Sequence, residues 1–117
     1  MTVPASLTYS LMSERELDKH VRQLCKDLHL ARYHTADSRG SSAGFPDLCI
    51  VGNGVIFAEL KSARGTLRPE QCEWRDLLLD AGAKWYLWRP AHLASGEIAR
   101  VLASISTYRA ITGRTRP

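Results

Sequence analysis

The chain has 117 residues, 44% hydrophobic and 24% charged, with a formal net charge of +4. This balance fits one globular domain and argues against a disordered chain, and no apolar run nears the ~20 residues a bilayer-spanning helix needs. The three cysteines, Cys25, Cys49 and Cys72, lie more than 20 residues apart, which argues against a disulfide framework or a zinc knuckle and points to a reducing cytoplasm.

Residues 1–11 carry no charged stretch and no long apolar run, so they read as a flexible extension rather than a signal peptide. Ser13 with Glu16 forms a capping-box pattern, and Leu17, Val21, Leu24 and Leu28 follow at helical spacing. Glu14, three residues before Leu17, falls on that same stripe and is expected to point inward. Residues 31–35 read as a strand, and residues 36–44 as a loop of small residues. Residues 48–51 and 55–61 then form a hairpin through Gly52-Asn53-Gly54. Pro69 suits a helix start and Gly82 its end, with Gln71, Trp74, Leu78 and Ala81 along one face. Residues 84–88 form a strand closed by Pro90, and a last helix begins at Glu97. The order predicts an α/β domain with a mixed sheet of about four strands covered by helices.

The strand at 55–61 carries the first sign of chemistry. Val55, Phe57, Glu59 and Lys61 share one face, while Ile56, Ala58 and Leu60 share the other, and both read as buried. Glu59 and Lys61 are then about 7 Å apart by strand rise, and a buried carboxylate there costs several kcal/mol unless neutralised. From this segment alone, a self-neutralising Glu–Lys pair and a reactive site are both open. The hairpin would bring Asp47 back beside Glu59, and Glu14 is a candidate third carboxylate. Such hard oxygen donors suit Mg2+ or Mn2+, whereas no His/Cys cluster converges with them. Of His20, His29, His34 and His92, only His34 is expected near the site.

Asp47 and Glu59 are separated by eleven residues, in the strings Gly44-Phe45-Pro46-Asp47-Leu48 and Phe57-Ala58-Glu59-Leu60-Lys61. This pattern resembles the PD-(D/E)xK nuclease signature. With Met12-Ser13-Glu14, Tyr33-His34-Thr35, Gly65, Leu67, Pro69-Glu70-Gln71 and Trp88-Arg89-Pro90, the chain resembles the virus-type replication-repair nuclease (VRR-NUC) family in its short, phage-like standalone form. The resemblance implies a restriction-endonuclease-like core over residues 12–108, with a basic tail at 109–117. It implies that Asp47, Glu59, Glu14 and the Leu60 carbonyl hold Mg2+ or Mn2+, that Lys61 is the catalytic lysine, and that Gln71 is the accompanying glutamine. For Gln71 a buried amide satisfied by backbone is the competing reading. Relatives often place a small polar cap before the Pro-Glu-Gln string, where this chain has Arg68. Arginine offers no oxygen acceptor, so that helix start is expected to be poorly satisfied.

The activity implied is metal-dependent hydrolysis of DNA phosphodiesters in the cytoplasm of a bacterial or phage-infected cell. Branched DNA is the implied substrate, cut in the manner of a Holliday-junction resolvase by a homodimer with no membrane partner. A flap or nicking nuclease of looser preference is the alternative, and a DNA-binding module without activity is the rival from another class. Of the 16 basic residues 12 are arginines, whose planar fork suits phosphate oxygens. Arg39, Arg64 and Arg68 are the candidate phosphate contacts, and Tyr108 and Ile111 are candidates for the dimer surface.

Overall fold

The computed structural model describes residues 9–35 and 43–106. Its elements in chain order are α1 (Glu14–Asp27), β1 (Ala31–His34), β2 (Leu48–Val51), β3 (Val55–Leu60), α2 (Pro69–Asp80), β4 (Lys84–Trp88), α3 (Pro90–Ala94) and α4 (Glu97–Ser104). The strands form one sheet in the order β1-β2-β3-β4. The first three run antiparallel, and β4 lies parallel to β3 after the α2 crossover. Arg39, Tyr108 and Ile111 lie outside the described residues.

The start of α1 follows from its capping chemistry. Ser13 Oγ accepts from the Glu16 N–H at 3.1 Å, and Glu16 Oε1 accepts from the Ser13 N–H at 3.2 Å. Two otherwise unpaired donors of the first turn are satisfied together. Met12 and Leu17 on either side are both buried, as in a hydrophobic staple. Met12, not Glu14, therefore takes the inward place at the helix entrance. Glu14 is exposed, because it sits at the first helical position, a turn before the stripe reaches the sheet.

Leu17 and Val21 are fully buried, and each contributes roughly 1.5–3 kcal/mol by leaving water. They pack with Ile98 and Leu102 of α4 over one sheet face, made by Leu48, Ile50, Ile56, Ala58 and Leu60. The register pairs Leu48 with Ala58 and Ile50 with Ile56, so these side chains point the same way. At the β2–β3 turn, a Cβ on Gly52 would lie 1.9 Å from the Ile105 carbonyl oxygen. Only glycine permits that approach, and it lets the Asn53 N–H donate to the same carbonyl at 2.7 Å.

The opposite sheet face is covered less completely. Val55 and Val51, paired across the hairpin, are 46% and 41% exposed, and Phe57 is half-buried. The expectation that β3 is buried on both faces therefore holds only toward its end, where Glu59 and Lys61 lie. The cover there is α2, whose only buried residue is Gln71, with Phe45 set edge-on against both Phe57 and Trp74 at 5.8 and 5.0 Å. Trp74 and Leu78 are half-buried and Ala81 is exposed, so the expected stripe fades towards the end of the helix. The short helix α3 was not predicted from the sequence. Pro90 reads there as the end of β4, but it also occupies the first turn of α3, where a missing N–H costs nothing.

Candidate active site

Asp47 stands immediately before β2, and Glu59 is the penultimate residue of β3. Extending the Leu48–Ala58 register by one step sets Asp47 opposite Glu59 on the face that carries Phe57. The turn before β2 is held from two sides. Thr35 N–H donates to the Asp47 carbonyl at 2.7 Å, and Thr35 Oγ1 donates to the Pro46 carbonyl at 2.6 Å. Asp47 Oδ2 in turn accepts from the Leu60 N–H at 2.9 Å, which ties the carboxylate to the end of β3.

Glu59 is 1% exposed, and its Oε1 has no hydrogen-bond partner among the described residues. Burial pushes its carboxyl up to about 9, aided by the hydrogen bond with Asp47 and by that residue's negative charge, and opposed by the Lys61 charge. Among the described residues Glu59 and Lys61 form no ion pair. The self-neutralising pair that the strand alone left open is therefore not what occupies this site.

Lys61 is buried beside the pair, and its N–H donates to the Trp88 carbonyl at 3.0 Å. The loop that follows is fastened by a residue to which the sequence alone assigned no role. Arg89 Nη1 donates to the Ser62 carbonyl at 2.8 Å and to the Gly65 carbonyl at 2.6 Å. Backbone carbonyls leave no trace in a residue pattern, so only the Trp88-Arg89-Pro90 string hinted at its importance. Arg64 sits exposed on that loop.

Gln71 lies at the third position of α2, and its Oε1 accepts from the Arg68 N–H at 2.8 Å. Half of the amide is thus spent on its own helix start, as the backbone-satisfied reading anticipated, and the start is better satisfied than Arg68 suggested. The Arg68 side chain is 63% exposed and pairs with Glu70 at 3.1 Å. Gly44 seals the same corner. Its φ is +87°, and a Cβ there would sit 2.4 Å from the Glu70 carbonyl carbon and oxygen, so the Gly44-Phe45-Pro46 approach packs directly on the N-terminus of α2.

Two expected neighbours are elsewhere. His34 pairs with Leu48 in register and so falls on the α1 face, with Nε2 at 3.9 Å from Asp18. Among the described residues no three His, Cys, Asp or Glu side chains converge, so exposed Glu14 does not join Asp47 and Glu59. The two carboxyls that do meet are hard oxygen donors, and one oxygen is buried without a partner. That donor set suits a hard divalent cation, which would also remove the cost of ionising the pair.

Residues 3–90 match the model of the VRR-NUC domain family. A solved structure named as a VRR_NUC domain protein superposes with a TM-score of 0.58 at 21% identity, over 86% of this chain and 90% of that one. Another, named as a VRR_NUC domain, gives a TM-score of 0.60 at 16% identity, over 74% of this chain and 96% of that one. At these identities the two structures establish a shared fold. No curated protein sequence gives a significant match.

Proposed function

The chain belongs to the VRR-NUC domain family, a nuclease family, and from that premise we propose that it is a metal-dependent DNA endonuclease of the PD-(D/E)xK type with residues 12–108 as its catalytic domain. The observation that carries the reading is the carboxyl pair of Asp47 and Glu59, with the orphaned Glu59 Oε1 and with Lys61 two residues further on. Asp47, Glu59 and the Leu60 carbonyl would hold Mg2+ or Mn2+. When bound, the cation supplies Lewis-acid polarisation of the scissile phosphate and a more acidic water.

The remaining work falls to the chain's own groups. Lys61 Nζ, a compact cation in a buried setting, offsets charge on the phosphate and orients the water that attacks it. Gln71, with its Oε1 already committed, offers only its NH2 group to the site. Arg89 acts through the backbone: by gripping the 62–65 carbonyls it fixes where Lys61 leaves the strand and where Arg64 meets DNA. Arg68 can reach a phosphate only by leaving Glu70, so Arg64 is the better placed contact of the two.

Branched DNA is the proposed substrate and a homodimer the proposed active form. One chain carries one Asp47/Glu59/Lys61 site, while a four-way junction needs two opposed cuts, and an isologous pair supplies them with matching symmetry. A cleavage panel of matched junction, flap, single-stranded and duplex DNA, with Mn2+ or EDTA, tests this. Metal-dependent paired cuts in the junction are expected. Preferred cutting of flaps would replace the resolvase reading, and binding without cleavage of any substrate would leave a non-catalytic module.

A further inference from the structure

On the opposite side of the sheet from the carboxyl pair lies a cavity of about 570 Å3, lined by α1 and the start of β1. Lys19, Arg22, Gln23 and Lys26 lie along its α1 wall at spacings of three, one and three residues, which places them on one stripe of the helix. The three cations are exposed, so they are free to meet a ligand. Arg32 closes the cavity from β1. It is aimed rather than loose: Nη2 is held by Asp18 Oδ1 at 2.6 Å. Its Nε is buried and has no hydrogen-bond partner among the described residues. Cys25 also lines the cavity, and burial pushes its thiol up to about 11, so it adds no negative charge.

We propose that this α1–β1 groove binds the sugar-phosphate backbone of a nucleic acid, as a second anchoring site distinct from the catalytic pocket. Charge complementarity favours that occupant: three exposed cations on one helix stripe line the same open groove as the Arg32 guanidinium. The dimensions suit a strand of phosphates. Lys19 to Lys26 spans ~10 Å of helix, about three nucleotides of one DNA strand at 3.4 Å each. The groove and the site are connected through the edge strand β1. Arg32 in β1 is three residues before Thr35, whose N–H holds the Asp47 carbonyl, a step of ~10 Å by strand rise. The substrate class rests on the nuclease reading, whereas the groove's capacity to bind phosphates does not.

The test measures binding without cleavage. A fluorescein-labelled duplex of roughly two helical turns is titrated by anisotropy in EDTA, at several salt concentrations. The variants are the parent, the triple substitution Lys19→Gln/Arg22→Gln/Lys26→Gln, and the control Lys84→Gln, an exposed lysine at the start of β4. Each lost phosphate contact should lower the log–log salt slope by ~0.9, so the triple variant should lose about two to three and bind at least about tenfold more weakly. Lys84→Gln should leave both unchanged, and circular dichroism should show all the proteins equally folded. An unchanged slope and affinity in the triple variant would overturn the groove. So would equal affinity of the parent for a polyglutamate peptide of matched charge, since that is capture of any polyanion. If no DNA is ever cleaved but the slope still falls, the nuclease reading fails and the groove stands.

Discussion

Glu59→Gln should make the metal-free protein more stable at alkaline pH while removing its function. In the folded chain the Glu59 carboxyl is held near 9, against an ordinary 4.5. Between those values the native state keeps a proton that the unfolded chain releases, so stability is full below 4.5 and falls as pH rises towards 9. The loss is on the order of 1 kcal/mol per pH unit, so a few kcal/mol accumulate between pH 6 and pH 8. That is a large share of the ~5–15 kcal/mol that holds a domain of this size together. Glutamine cannot ionise, and its NH2 can still donate to Asp47, so this slope should vanish in the variant. Urea denaturation in EDTA at pH 6, 7 and 8, followed by circular dichroism, reads the difference directly. Adding Mn2+ should rescue the wild type most at pH 8, where protons compete least for the pair, and should do little for the variant. Parallel pH profiles for the two proteins in EDTA would refute the claim that this carboxyl is forced to hold a proton.

The other expectations are simpler. Lys61→Ala should slow cleavage by about 10^2–10^3 at near-constant DNA affinity, and Lys61→Arg should not fully restore it, because a planar guanidinium is a poor substitute for a compact ammonium; single-turnover kinetics with a binding titration check both. Arg89→Met should cost about 1.5–3 kcal/mol by removing charge-assisted bonds to the Ser62 and Gly65 carbonyls, and cleavage should fall with it; thermal melts and a cleavage assay separate the two effects. Gly44→Ala should cost about 2 kcal/mol or more, since it combines a positive φ with a backbone clash on α2, which a urea melt will show. Light scattering at micromolar concentration should give about twice the chain mass of 13.1 kDa, and a monomer that cuts junctions once would set the paired-cut reading aside.

The sequence was most legible where a local rule acts alone. Ser13 and Glu16 marked the start of α1, Gly52-Asn53-Gly54 the hairpin, and the hairpin register then set Asp47 against Glu59. It was least legible where an outcome depends on what lies opposite. The stripe rule counted Glu14 as inward because spacing does not say where a helix meets its sheet. The same blindness made β3 look buried throughout, although α2 covers only its far end. Gln71 looked like a residue aimed at the site, yet half its amide caps its own helix, a role that only the Arg68 backbone geometry reveals. Arg89 and the α1–β1 groove were missed because their partners are carbonyls and a cavity, neither of which leaves a pattern in residue types.

The central claim is that the Asp47–Glu59 pair is a metal-dependent catalytic site. The most direct measurement is the single-turnover cleavage rate of a four-way junction by the wild type, Asp47→Asn and Glu59→Gln, each with Mn2+ and with EDTA, alongside junction affinity. The wild type should cut only with Mn2+, and each variant should lose several kcal/mol of transition-state stabilisation, about 10^3-fold in rate, while binding the junction as before. Cleavage by either variant within a few-fold of the wild type, or equal cutting by the wild type in EDTA, would contradict the assignment.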